Sequence, residues 1–235
     1  MINLTISGIE IIAEKKQIKN MYIRVVPPDG KVRITAPMSA TDDAIRMFAI
    51  SHISWIKKQR QKFKNQLRQT ERKYVAGESY YLWGRRYRLD VEYSNIRNDV
   101  FVSGQKIVLQ VRRDSTLQQR ANVMENWYRE ILKEAIPPVF EKCEKLVGVK
   151  ANEWQVKNMR TKWGTCNIEA KRIWLNLQLA KKTPECLEYV IIHELVHLLE
   201  RSHNEIFRAY MDRFYPNWRA VKDHLNEQML DHMEE

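Results

Sequence analysis

Cysteine is scarce in this 235-residue chain, and long apolar runs are missing from it. The three cysteines, Cys143, Cys166 and Cys186, are odd in number and too widely spaced for a zinc knuckle, so we expect free thiols in a reducing compartment. No apolar run is long enough to cross a bilayer, and the first residues lack the basic-then-apolar order of a signal peptide. The sequence therefore predicts a cytoplasmic protein with no membrane partner.

Internal repeats and low-complexity tracts are also absent, which excludes repeat arrays and disordered linkers. With 44% hydrophobic residues, the chain can bury one large core or two smaller ones. We therefore expect a folded globular protein. Its oligomeric state does not follow from the sequence.

Acidic residues are few in the first half of the chain. Residues 1–120 carry 23 Lys and Arg against 11 Asp and Glu, whereas residues 121–235 carry 17 against 18. The densest basic run extends from Lys57 to Lys73, with eight basic residues and only Glu71 opposing them. Such a run is usually a solvated helix face. The functional alternative is a surface for nucleic acid, nucleotides or an acidic partner.

The first half is rich in strand patterns. Residues 2–12, 18–26 and 31–36 are β-branched or alternate, which predicts an antiparallel meander, and Thr41 then begins a helix that continues into the basic run. Residues 80–89 form two aromatic strands around a glycine turn, and residues 100–102 and 106–111 give another pair. Aromatics beside Arg85, Arg86 and Arg88 could stack bases, but aromatic strands more often pack in a core.

The pattern becomes helical after Ser115, where we place a domain boundary. Residues 117–147 read as helix, interrupted at Pro137-Pro138 and ended by Gly148. Two strands, residues 155–159 and 173–179, follow it. The prediction is a basic β-rich domain at 1–114 and a second domain at 115–235.

The second domain contains the motif His193-Glu194-Leu195-Val196-His197. On a helix the two histidines lie one turn apart on the same face, so both rings can face one ion. The surrounding residues are apolar nearly all round, which indicates a buried helix whose polar side chains need partners. Glu194 follows the first histidine and can take a proton from a metal-activated water. The motif therefore predicts a zinc site with hydrolytic chemistry.

A catalytic zinc site needs a third protein ligand and keeps one position open. His203 is the best candidate, although it lies six residues beyond His197 and requires the chain to turn out of the helix after Leu199. Three carboxylates compete with it for this role: Glu200, Glu205 and Glu227.

With these pieces in order, the chain resembles the YgjP-like metal-dependent hydrolases, which are related to minimal gluzincin-like and SprT-like metallopeptidases. The resemblance is carried by residues 160–166, 187–198, 203–207 and 215–218. Thr165 and Asn204 each stand where the family has serine. The implied fold class is α+β, with an amino-terminal, mostly antiparallel β region containing one helix, then a mainly helical zincin-like domain with a small sheet and a buried motif helix.

The resemblance implies a zinc-dependent metallopeptidase for peptides or unfolded protein. It assigns ligation to His193, His197 and His203, and the catalytic acid/base role to Glu194. Some family members carry a UTP pyrophosphatase label, so a nucleotide hydrolase and a nucleic-acid-associated protein remain alternatives.

Substrate contacts and the group that stabilises the transition state are less well defined. Arg160, Tyr210 and His224 have the chemistry to stabilise a tetrahedral intermediate. Trp163 and Cys166 either line the cleft or pack, and the backbone near them could pair with an extended peptide. The candidate substrate-binding residues are Arg160, Trp163, Cys166, Asn176 and Tyr210.

Overall fold

The chain is described by a computed structural model that covers residues 2–26, 30–65, 72–159 and 161–227. It divides into two compact units, Met1–Thr70 and Glu71–Glu235, each with its own apolar core. No helix in these ranges is long and apolar enough to cross a membrane. The Lys57-to-Lys73 run lies only partly within the described residues.

The first unit is a four-stranded sheet with two helices. Its elements are β1 (Ile2–Ile6), β2 (Ile9–Lys16), β3 (Tyr22–Val26), β4 (Lys31–Pro37), α1 (Asp42–Ser51) and α2 (Ile53–Asn65). The strand order is β1-β2-β4-β3, and β2 pairs with β4 in parallel. The predicted antiparallel meander is therefore wrong at this pairing. The parallel neighbours bring Ile11 and Val32 side by side in one buried core.

Helix α1 begins where the sequence predicted. The Thr41 hydroxyl accepts a hydrogen bond from the amide of Ala44 at 3.2 Å, which satisfies one of the free amides at the helix start. The predicted single helix is divided at His52 into α1 and α2.

The second unit opens with a second four-stranded sheet and a long helix. These are β5 (Ser79–Leu82), β6 (Arg85–Tyr93), β7 (Asp99–Ser103), β8 (Lys106–Val111) and α3 (Leu117–Val147). The sheet shares its core with α3, and the Tyr128 hydroxyl donates to the Tyr81 carbonyl at 2.8 Å. The boundary predicted near residue 115 falls inside this unit, because these strands contribute to the core of the unit that follows.

Helix α3 is continuous. A capping box joins Thr116 and Gln119 at its start, and Gly148 ends it in the left-handed conformation with φ of 78°. The interruption predicted at Pro137-Pro138 does not occur.

A three-stranded sheet, a 3-10 helix and three α-helices complete the unit. They are β9 (Glu153–Lys157), β10 (Gly164–Asn167), β11 (Arg172–Asn176), a 3-10 helix (Leu177–Lys181), α4 (Pro184–Val196), α5 (Glu205–Phe214) and α6 (Trp218–Glu227). The order is β10-β11-β9, with β10 at an edge of the sheet. The α+β class is confirmed. The predicted strand 173–179 ends at Asn176, and β10 was not predicted as a strand.

Candidate metal centre

Helix α4 carries the motif and is buried nearly all round, as the sequence predicted. Its regular turns end at Val196, and the backbone of His197 forms the C-cap. The amides of Leu198 and Leu199 then bond to carbonyls three residues back, so the chain tightens and leaves the helix axis without a glycine. This turn brings His203 back over the face that carries His193 and His197.

The three histidines converge. One ring nitrogen from each lies within 4.8 Å of the others, and among the described residues this is the one such group of His, Cys, Asp or Glu. The Nε2 atoms of His193 and His203 are 3.0 Å apart. Two nitrogens bound to one tetrahedral zinc ion lie about 3.3 Å apart. The spacing of His193 and His203 is therefore close to that of two nitrogens on one cation, and the His197 ring nitrogen lies within 4.8 Å of both.

The neighbouring groups hold these rings in place. Nδ1 of His197 lies 3.2 Å from the Glu200 carbonyl, which leaves its Nε2 for an ion. The Phe207 ring packs against all three imidazoles, with centroids 4.7 to 5.0 Å away. Asn204 caps α5 by accepting from the Phe207 amide at 3.0 Å. The cap thus fixes the residue on which the three rings rest.

The electrostatics favour neutral imidazoles. Burial, and then the neighbouring His197, His203 and Lys222, lower the pKa of His193 to about 3. Burial also lowers the pKa values of His197 and His203. Nδ1 of His193 is buried without a hydrogen-bond partner in the described part of the chain. Neutral, convergent imidazoles are metal ligands, so the donor set fits a divalent cation.

Glu194 lies beside the triad and is only 5% exposed. Burial raises the pKa of its carboxyl to about 8, and the charge of Lys162 acts in the opposite direction. Strand β10 passes so close that a β-carbon on Gly164 would lie 2.7 Å from Oε1 of Glu194. The carboxylate is thus held between α4 and the edge strand.

The triad and Glu194 open onto a cleft of about 520 Å³. Residues 161–166 line one side of it, and Arg201 and Lys222 belong to its wall. Three convergent imidazoles, a buried carboxylate and a cleft of this size make this the candidate functional site of the chain.

Residues 19–228 match the model of the YgjP-like, metallopeptidase domain family. The chain belongs to this family. The resemblance seen in the sequence is confirmed, and at the family level the chain is a metallopeptidase and so a metal-dependent hydrolase.

Two solved structures are similar over part of the chain. The metallopeptidase zymogen abylysin of Pyrococcus abyssi has a TM-score of 0.36 and 17% identity, covering 38% of this chain and 90% of its own. The metallopeptidase zymogen jannalysin of Methanocaldococcus jannaschii has a TM-score of 0.36 and 18% identity, covering 40% and 97%. No curated protein matches the chain.

Among the predicted substrate-binding residues, Trp163 and Cys166 line the cleft. Asn176 does not line the cleft, because the residue is fully buried. Its side-chain nitrogen donates to the carbonyls of Met159 and Lys162, and its side-chain oxygen accepts from the backbone amide of Gln178. It shapes the segment that leads into β10 instead. Arg160 lies outside the described residues.

Two further candidates lie away from the cleft lining. Tyr210 stacks on Phe214 with centroids 5.9 Å apart, and His224 is exposed on α6. Among the competing third ligands, Glu200 accepts from the Ser202 amide at 2.9 Å and Glu205 is exposed at the start of α5. The side chain of Glu227 lies outside the described residues.

Sequence reasoning missed much of the cleft wall, including Lys162 and Arg201, and it missed four further residues of the site. Tyr189 lines the cleft. It lies four residues before His193, so helix geometry could have placed it on the same face. Gly164 was visible only as a glycine next to a predicted strand, which signals close backbone approach. Nothing local pointed to Lys222 as a wall residue or to Phe207 as the support of the imidazoles.

Proposed function

We propose that this protein is a zinc-dependent metallopeptidase that cleaves peptides or unfolded protein chains. The observation that carries the proposal is the placement of buried Glu194 beside three convergent imidazoles in one cleft. Family membership supports the same reaction class. Three free thiols fit a cytoplasmic setting.

Zinc is the metal that this donor set favours. Three imidazoles and no carboxylate ligand suit zinc, whereas Mg²⁺ and Ca²⁺ prefer oxygen ligands. Nε2 of His193 and His203 and the free ring nitrogen of His197 would hold the ion. A zinc ion bound there supplies Lewis acidity to a scissile carbonyl and to an attacking water.

Glu194 is the proposed general base and acid. Its carboxylate accepts a proton from the attacking water and donates it to the leaving amine. Burial raises the pKa of this carboxyl above its ordinary value, which favours the protonated form that donates to the leaving amine. The adjacent edge strand β10 gives an extended peptide a backbone with which to pair beside Glu194.

A second candidate is hydrolysis of nucleoside triphosphates such as UTP. The observation in its favour is the basic character of the cleft wall, where Lys162, Arg201 and Lys222 could hold phosphates.

One experiment separates the two. Zinc-loaded protein would be incubated with unfolded casein and with UTP, and cleavage products and pyrophosphate would be measured. Casein cleavage that disappears in Glu194→Gln and on chelation supports the peptidase. Pyrophosphate release without peptide cleavage would replace it with the nucleotide hydrolase.

A further inference from the structure

The charged residues that line the cleft are nearly all basic. Lys162, Arg201 and Lys222 are lining residues, and Glu194 is the one acidic residue among them. Glu194 is buried at the reacting centre. The wall that a substrate meets therefore presents only positive charge.

The three basic side chains come from three separate elements. Lys162 precedes β10, Arg201 belongs to the turn between α4 and α5, and Lys222 belongs to α6, with its ammonium 5.5 Å from the Trp218 ring. None of the three has a carboxylate within 4.0 Å in the described part of the chain. Their charges are therefore available to a substrate.

Their position relative to the reacting groups is close. The positive charge of Lys222 contributes to the lowered pKa of both His193 and His203, although burial is the larger cause for each. The charge of Lys162 reaches Glu194. All three basic residues therefore line the same cleft as Glu194 and the three histidines.

Two carboxylates, Glu200 and Asp223, lie near the cleft without lining it, although the charge of Glu200 reaches His197 and that of Asp223 reaches Tyr189. Glu200 follows the motif, but its carboxylate accepts from the Ser202 amide and is not part of the lining. Asp223 is next to Lys222 in the chain and is likewise outside the lining.

We infer that the cleft selects peptides that carry acidic side chains beside the scissile bond, with Lys162, Arg201 and Lys222 as the selecting residues. This inference rests on the proposed peptidase function. A carboxylate held near each cation gains a charge-assisted contact that a neutral or basic side chain lacks. Phosphate sites typically use glycine-rich loops with free amides. The single glycine of residues 161–168, Gly164, faces Glu194 instead, which favours peptide carboxylates over phosphate.

The test uses three unstructured dodecapeptides that differ only at four positions around a central Leu-Leu pair, occupied by Glu, Gln or Lys. Cleavage by the zinc-loaded protein is followed by mass spectrometry, and binding to zinc-loaded Glu194→Gln is followed by fluorescence anisotropy. Each exposed charge pair contributes about two- to fivefold, so we expect the Glu peptide to exceed the Gln peptide by about tenfold in kcat/KM and in affinity. The preference should shrink as salt screens the charges.

Charge reversal assigns the effect to the wall. Arg201→Glu and Lys222→Glu should each lower the preference for the Glu peptide and improve cleavage of the Lys peptide. Lys150→Glu, an exposed charge reversal outside the cleft lining, should leave the preference unchanged.

The outcomes separate this inference from the proposed function. Equal cleavage of all three peptides would retain the peptidase and overturn the inference. Preferential binding of the Glu peptide with no cleavage by the wild type would retain the inference for the cleft and refute the peptidase. Equal or undetectable binding of all three peptides, including the case in which only UTP binds, would overturn the inference.

Discussion

A β-carbon on Gly164 would lie 2.7 Å from Oε1 and 2.8 Å from Cγ of Glu194, as well as 2.8 Å from Cγ1 of Val190. No side chain larger than hydrogen fits there without movement of either β10 or the Glu194 carboxylate. Strand β10 and helix α4 therefore pack against each other through a close contact that only glycine allows.

Gly164→Ala should displace Glu194 and lower kcat by at least about tenfold, because small misplacements of a catalytic group cost one to two orders of magnitude. Zinc content should remain near wild type, since no histidine contacts Gly164 among the nearest atoms. Gly104→Ala is the matched control: its φ of 56° makes alanine strained, but nothing lies within 4 Å. Gly104→Ala should therefore lose stability and keep its kcat. A wild-type kcat in Gly164→Ala would show that the close contact at Gly164 does not position Glu194.

Glu194→Gln should lower turnover by about 10²- to 10⁴-fold, the range typical of a lost general base. Glutamine has nearly the same shape, so zinc measured by elemental analysis should be unchanged. Unaltered turnover in the zinc-loaded variant would end the assignment of Glu194 as the base.

His203→Ala should weaken zinc binding by at least about 100-fold, because the site is left with two imidazoles. Competition with a chromophoric chelator measures the affinity. Glu200→Ala should bind zinc as the wild type does, since that carboxylate is bonded to the Ser202 amide. The reverse ranking of the two variants would make Glu200 the third ligand.

Asn176→Ala should reduce the free energy of unfolding by about 2 to 4 kcal/mol, because it removes a fully buried side chain that donates part-buried hydrogen bonds to the carbonyls of Met159 and Lys162. Urea unfolding followed by tryptophan fluorescence measures the change. Asn152→Ala, whose exposed side chain donates to the Ala170 carbonyl, is the control and should cost less than about 1 kcal/mol. A loss of activity at unchanged stability would instead indicate a role for Asn176 in substrate contact.

Cys166 should alkylate slowly although it lines the cleft. Burial, and then the charge of Glu194, raise the pKa of its thiol from 9.0 to about 11. Since the thiolate is the nucleophile, its labelling by iodoacetamide at pH 8 should be about 100-fold slower than that of an unperturbed thiol and should rise with pH up to about 11. Peptide mapping measures the rate. Glu194→Gln removes the negative charge of Glu194 and should speed the labelling of Cys166. If wild-type Cys166 reacted as fast as the thiol of glutathione, its pKa would not be raised.

The parts of the site that sequence reasoning reached are local. His193, Glu194 and His197 follow from helix geometry, and His203 followed from the ligand count that zinc demands. Gly164 and Lys222 join the site only through tertiary packing. Their distance along the chain from the motif gave no local pattern to interpret.

The errors in the fold have similar causes. Pro137 and Pro138 were expected to interrupt α3, yet both lie on its exposed face, where water can bond the carbonyls that lose their amide partners. The boundary at residue 115 followed a change from strand to helix pattern. The hydrogen bond between Tyr128 and Tyr81 joins residues on either side of position 115, and no local sequence pattern predicts such a contact.

The proposed third ligand, His203, comes from an exposed turn, whereas His193 lies within α4 and His197 caps the end of that helix, which is buried by apolar contacts. Removing the ion would release the turn around His203 and leave the packing of α4 intact. A purified sample could then show a native circular dichroism spectrum and melting curve and still be inactive. Metal stoichiometry, rather than folded content, is the quality measure by which preparations of this protein should be compared.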